Sequence, residues 1–354
     1  MHIPDGYLSP STCVTLYLAA ASGWYAALRR VKRILATRTI PLISVFAAFS
    51  FVIMMFNIPL PGGTTGHAVG VTVAVIVLGP WGAILSISLA LAIQALFFGD
   101  GGITTLGANC LNMAMIGAFV AYGSYRLIAA GADLSSRRRV LAAAIAGYLA
   151  INASAFATAL EFGIQPALFH DASGTPLYAP YPLSVAIPAM MIGHLTFAGL
   201  AEAAISAGMI AYLQKADLGL LQGPGTFAQS PEFVPVPRAA TPSPSRLWWA
   251  VALLMFLTPL GILAAGTAWG EWSAYDFDNA RVQLSSTLPS VAPAGLRKLS
   301  ALWTAPFPGY APRFIRSPHF GYLLSAMFGV GLLALLSLIA KSWFKPRRQP
   351  EARA

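Results

Sequence analysis

Long apolar runs separated by short basic segments dominate this sequence, and they leave few folds open to it. A run of about 18 or more apolar residues with few charges is long enough to cross a bilayer core as a helix. In that setting every backbone polar group must be satisfied within the protein. The composition points the same way. The 354 residues are 57% hydrophobic and 10% charged, whereas soluble domains carry about 25% charged residues. The expected fold class is an all-α polytopic membrane protein.

Seven spans are read in the first part of the chain, at roughly 11–28, 39–56, 67–78, 81–98, 105–129, 140–163 and 183–213; two more follow at 247–265 and 320–340. The third is short. Its 12 residues rise about 18 Å as a helix, well under a core of about 30 Å, and Gly79-Pro80 ends it. Such a helix must begin below the membrane surface. The preceding stretch 59–66 (PLPGGTTG) reads as irregular backbone that dips into the bundle and carries His67 with it.

The formal net charge is +10. In a soluble chain this would suggest nucleic acid. Here the cations gather between apolar runs and read as topology signals instead, with no nucleic-acid partner expected. The clusters are Arg29, Arg30, Lys32, Arg33 and Arg38; Arg137, Arg138 and Arg139; and Lys341, Lys345, Arg347, Arg348 and Arg353. All three fall on one face only if the third and fourth spans are separate. The expected topology is multi-pass in the plasma (inner) membrane, with the N-terminus outside and the C-terminus cytoplasmic. The first ten residues, MHIPDGYLSP, have no basic segment, and Pro4, Gly6 and Pro10 break any early helix of a cleavable leader, so the native amino end is expected to persist. Residues 222–246 are rich in Pro, Gly and Ser and read as a linker. This gives a unit at 1–221 and a two-span unit at 247–345, with a long extracytoplasmic segment at 267–318. Cys13 and Cys110 lie in apolar surroundings and are expected to be buried thiols.

Chemistry is concentrated at the start. A free α-amine, the amide nitrogen of His2 and its imidazole Nδ1 can close five- and six-membered rings on one cation, once the amide loses its proton. A fourth nitrogen completes a square, and square-planar nitrogen ligation suits Ni(II) or Cu(II). His67 shares the side of the N-terminus in the derived topology and can be that donor. A satisfied loop histidine is the competing reading.

The opening MHIPDGYLSP, with IPLPGGTTGHAVG (58–70) and GANCLNMAMIG (107–117), resembles the CbiM/NikM family, the substrate-binding components of energy-coupling-factor cobalt/nickel transporters. The likeness covers about 1–220. It implies metal ligation by Met1, His2 and His67, with Ni2+ or Co2+ as transported substrate and no organic cofactor. It also implies partner subunits: a transmembrane coupling subunit and two ATPase subunits. The chain itself has no GxxxxGK[ST] and is not expected to be an enzyme. TPLGILAAGTAWGEW (258–272) resembles the PDGLE (NikN-like) domain. Its name motif is altered at PAGLR (293–297), where Ala294 and Arg297 replace the two acids; the fusion leans the metal toward nickel.

Other residues allow two readings each. Asp5 either orients the His2 ring or the folded-back N-terminus, or simply forms the Pro4-Asp5-Gly6 turn. Asn109 and Asn112 either hydrogen-bond the metal loop or join helices. Ala19, Gly23 and Ala27 form a small-residue stripe that either packs internally or, by the resemblance, docks the coupling subunit. His194 and Glu202 lie on similar faces of the seventh span and read as a helix-joining pair; the alternative is an intramembrane metalloenzyme built on them. A component for an organic vitamin is the third possibility. Glu161 is expected to reach the interface, and His170 and His319 to be solvated.

Overall fold

The computed structural model describes residues 1–34, 39–60, 64–222, 244–263, 269–279, 291–312 and 314–343. Most of the linker reading, Arg38 and the basic cluster at 345–353 lie outside these residues, as do the side chains of Arg33 and Lys341.

The expected all-α membrane architecture is what is found. The long helices are α1 (Pro10–Ile34), α2 (Thr39–Met54), α3 (Val71–Phe98), α4 (Leu106–Ile128), α5 (Arg137–Gly163), α6 (Leu183–Ala216), α7 (Pro244–Leu257) and α8 (Pro318–Trp343). Caps set two of the starts. The Ser9 hydroxyl accepts from Thr12 N at 3.2 Å, and that of Ser136 accepts from Arg138 N at 3.2 Å, each satisfying an orphan helix donor.

α3 is two helical limbs joined at a kink, not one rod. A straight helix of its 28 residues would be about 42 Å long, yet both of its ends lie beside His2. His67, just before it, stacks on the His2 ring, and Asp100, just after it, lies 2.9 Å from His2 Nδ1. The chain therefore reverses, and it does so at Gly79 (φ 71, ψ 170), a conformation that disfavours a Cβ. Pro80 follows, with no N–H to extend the first limb. The second limb runs antiparallel to α1: Trp24 donates to Ser88 Oγ at 2.9 Å, and Arg30 lies over Trp81 at 4.2 Å. The third and fourth spans are thus separate limbs, and Arg29, Arg30 and Arg137–Arg139 fall at the end away from the N-terminus.

Two local expectations are corrected. The helix of the third span begins at Val71, so His67 belongs to the loop before it. The described residues of the stretch 59–66 are not irregular: β1 (Ile58–Leu60) pairs antiparallel with β2 (Thr64–Gly66). Backbone polar groups sunk among helices need partners, and a two-stranded ladder supplies them.

The segment between α3 and α4 also dips into the bundle. A Cβ on Gly107 would lie 2.7 Å from the backbone of Tyr17, and the Tyr17 hydroxyl donates to the carbonyl of Ile103. Tyr17 is seven residues inward from the start of α1, or about 10 Å. α3, α4 and α6 each contain a π-turn, at Gln94–Phe98, Cys110–Ile116 and His194–Ala198. Such bulges often mark functional sites, and the first two flank this dipped segment.

The C-terminal unit packs on α2. Ser44 donates to Leu333 O at 2.9 Å, and Tyr322 donates to Met55 O at 2.6 Å. Gly329 faces Phe51 so closely that a Cβ would lie 2.2 Å from its ring. The described part of the segment 267–318 includes short helices Ala274–Asn279 and Ala294–Ser300. It lies over the first residues of the chain: a Cβ on Gly6 (φ 91) would meet Leu296 O at 2.5 Å.

Candidate metal centre

The first nine residues fold back into the bundle as a pinned strap. Ile3 is its anchor. Its N–H donates to Asn109 Oδ1 at 2.8 Å, and its carbonyl accepts from Gly102 N at 2.9 Å, Thr105 Oγ1 at 2.5 Å and Asn109 Nδ2 at 3.1 Å. Asp5 accepts from Ile103 N at 3.0 Å and Thr104 N at 2.7 Å, and from the Thr104 hydroxyl. Only glycine fits beneath it, since a Cβ on Gly102 would lie 2.4 Å from both Asp5 N and Oδ1. Ser9 N donates to Gln165 Oε1 at 3.0 Å.

These anchors bury the candidate donors. Met1, His2 and His67 are 1%, 2% and 2% exposed. The amine of Met1 donates to Thr65 O at 3.0 Å and Thr65 Oγ1 at 3.2 Å, which ties it to β2. The His2 and His67 rings stack with centroids 4.7 Å apart and planes 20° from parallel. His67 Nδ1 is 3.2 Å from Ala68 O; that carbonyl can only accept, so Nδ1 carries the proton and Nε2 presents a lone pair. His67 Nε2 and His2 Nε2 are buried with no hydrogen-bond partner. Such orphaned nitrogens are costly unless something binds them.

The electrostatics favour the neutral form of the Met1 amine and of His67. Burial lowers the affinity of the Met1 amine for its proton, against the opposing pull of Glu271 and Asp100. Burial, then the His2 ring and the amino terminus, hold His67 well below the ordinary histidine range. Burial alone would raise the Asp100 carboxyl, but the His2 ring and the Tyr310 hydroxyl beside it win and hold it well below the usual carboxylate range. Among the described residues no group of three His, Cys, Asp or Glu side chains is arranged to hold a metal ion. A donor set here depends on the backbone amine and amide.

The sequence-predicted residues divide into three groups. Met1, His2 and His67 come together. Asn109 grips the strap at Ile3, and Asp5 orients the folded-back N-terminus but does not touch the His2 ring; Asp100 faces that ring instead. The rest lie apart. Asn112 donates to Glu161 Oε2 at 2.7 Å and to Thr158 Oγ1 at 3.2 Å, joining α4 to α5 rather than reaching the metal loop. Glu161 is therefore buried between helices and does not reach the interface, because Asn112 satisfies it there. Ala27 is fully buried, and Gly23 faces inward, where a Cβ would meet Met115 Sδ at 2.5 Å. The inner part of the stripe packs within the bundle, while Val14, Leu18 and Tyr25 present the exposed face of α1.

His194 and Glu202 do not bond each other. His194 Nδ1 lies 2.8 Å from Met190 O, while Glu202 Oε2 accepts from Val69 N at 2.7 Å and Gly70 N at 2.9 Å. Glu202 thus caps the first limb of α3, two residues past His67, where an anion complements the helix N-terminus. Cys13 and Cys110 are free and buried, and His170 and His319 are exposed.

Sequence reasoning passed over Asp100, Thr65, Glu271 and Tyr310. Asp100 carried a signal: it is one of only 12 acids in the chain and sits in FGDGG, immediately after a span.

Residues 2–219 match the family model described as the cobalt uptake substrate-specific transmembrane region (CbiM), and residues 245–345 match the PDGLE domain. This chain belongs to the CbiM family. It is 50% identical over 343 residues to the fused nickel transport protein NikMN of Rhodobacter capsulatus, covering 94% of this chain and 95% of that one. It is 40% identical to the probable fused nickel transport protein LarMN of Lactiplantibacillus plantarum, covering 95% and 96%. Among solved structures, a transition metal transporter aligns with a TM-score of 0.58 at 53% identity, over 61% of this chain and 93% of that one. The chain is thus a multi-pass membrane component of nickel/cobalt transport.

Proposed function

We propose that the chain captures a divalent metal, Ni2+ in preference to Co2+, as the substrate-binding subunit of an ATP-driven uptake transporter. Met1 N, the deprotonated amide of His2 and His2 Nδ1 form three corners of a square, and His67 Nε2 supplies the fourth. The observation that carries this reading is the stacked, buried His2–His67 pair beside a buried amine, with His67 Nε2 left as a bare acceptor. Chelation by His2 Nδ1 requires Asp100, now 2.9 Å away, to yield that nitrogen to the metal. The names of the two fused relatives favour nickel. The N-terminus lies outside and the C-terminus in the cytoplasm, by the placement of the basic clusters. The units 1–221 and 247–345 act together through the linker 222–246. A transmembrane coupling subunit and two ATPase subunits supply the energy, since this chain carries no phosphate-binding lysine loop.

Adding three residues (Gly-Ser-Gly) before Met1 tests the reading. The Met1 nitrogen then becomes an amide and the free amine is carried beyond reach of a chelate with the His2 amide and ring, so tight nickel binding and uptake should vanish while membrane insertion stays normal. Unchanged nickel binding would sink it. Both alternatives, a metalloenzyme centred on His194 and Glu202 and a vitamin carrier, predict that result.

A further inference from the structure

Glu271, from the C-terminal unit, reaches the buried amino terminus. Its Oε1 lies 3.5 Å from Met1 N. The same oxygen accepts the hydroxyl of Thr65, whose carbonyl and hydroxyl oxygens also take the amine. The amine side of this pair is fully buried, whereas the Glu271 side chain is 24% exposed. Glu271 is therefore the point at which the buried amine meets the outer surface. Its position is fixed independently, because Tyr7 in the strap donates to the carbonyl of the neighbouring Trp272 at 2.9 Å. The unit makes a second, parallel contact: Tyr310 donates to Asp100 Oδ2 at 2.6 Å.

We propose that Glu271 is a positioning residue for metal capture, fixing the direction of the amine and supplying the negative charge that a dication meets at the amino terminus. This rests on the reading that the Met1 amine is a metal donor. A divalent ion bound to one deprotonated amide and three neutral nitrogens keeps a net charge of about +1, and an uncompensated charge in a dry site is strongly disfavoured. Asp100 offsets part of it from the His2 side, and Glu271, 3.5 Å from Met1 N, offsets it from the amine side. Coordination leaves N–H bonds on the amine, so it still donates to Glu271 and Thr65 after the metal arrives. The C-terminal unit thereby contributes to affinity without being a ligand.

The test uses the full chain with a free N-terminus, purified in lipid nanodiscs, with Ni2+ as the probe. Glu271→Gln keeps the shape and can still accept from Thr65, but it removes the charge. Nickel affinity should fall about 10- to 100-fold, the range typical when a group orienting a metal ligand is lost. The loss should appear mainly as faster release, with the spectrum of bound nickel unchanged and Glu271→Asp restoring part of the affinity. Affinity and release within twofold of the parent would overturn the proposal. So would an altered nickel spectrum, which would make Glu271 a ligand. The three-residue extension before Met1, run in the same assay, separates the two claims. If it abolishes binding while Glu271→Gln changes nothing, only the role of Glu271 fails. If it leaves binding intact, the amine reading itself fails.

Discussion

The imidazole of His67 lies flat against that of His2, with ring centroids 4.7 Å apart and planes 20° from parallel. Their chain positions differ by 65 residues, so the contact exists only because the strap folds back. His67→Ala removes the bare Nε2 and should weaken nickel binding about 100-fold or more. Calorimetric titration of the purified chain checks this. Stoichiometric nickel retained at wild-type affinity would assign the fourth donor elsewhere.

Asp5 holds the strap to the dipped segment through two backbone N–H groups. Hydrogen bonds to a charged group contribute about 1.5–3 kcal/mol each. Asp5→Asn should lower thermal stability by several degrees and nickel affinity about tenfold. A variant with unchanged affinity would reduce Asp5 to a turn former.

Glu202 acts on the other imidazole, through the backbone. It caps the first limb of α3, its carboxyl oxygen accepting from Val69 and Gly70 and so satisfying backbone donors at the helix start. Glu202→Gln should raise hydrogen exchange across 67–72 and weaken nickel binding severalfold. Protection that stays the same in those amides would contradict this role.

Asn112 supplies the contrast. It pairs with Glu161 away from the strap, and an unpaired buried acid costs about 1–3 kcal/mol. Asn112→Ala should therefore reduce unfolding stability by that amount and leave nickel affinity where it was. A parallel loss of affinity would draw this pair into the metal site.

Much of the architecture was legible in the sequence because lipid imposes a strong rule on length and polarity. The reversal at Gly79-Pro80 was readable from the residue pair and from the placement of Arg137–Arg139. His2 and His67 were readable because few residue types can bind a metal. The β1–β2 pairing was not, since Pro, Gly and Thr so close together also describe a loop. Asp5 and Asp100 exchanged the role expected of one acid, and no local pattern says which carboxylate will meet a given ring. Asn112 and Asn109 share one span, three residues apart, yet a π-turn intervenes and they serve different neighbours. The contact from Glu271 crosses 270 residues of chain and has no signature short of the folded molecule.

The inward placement of the segment beside Tyr17 has an electrical consequence. An ion held roughly 10 Å below the rim has crossed about a third of a hydrocarbon core of about 30 Å. Moving one charge through the full thickness is worth about 2.3 kcal/mol per 100 mV; in the proposed binding mode the His2 amide proton leaves as the dication enters, so the net charge moved is about one and the gain roughly 0.8 kcal/mol. In the proposed orientation, with the amino end outside, an interior-negative potential of 100 mV should lower the half-loading concentration of nickel about fourfold. Liposomes polarised by a potassium gradient would report that shift, and equal loading at both voltages would mean that the pocket is electrically continuous with the outer solution.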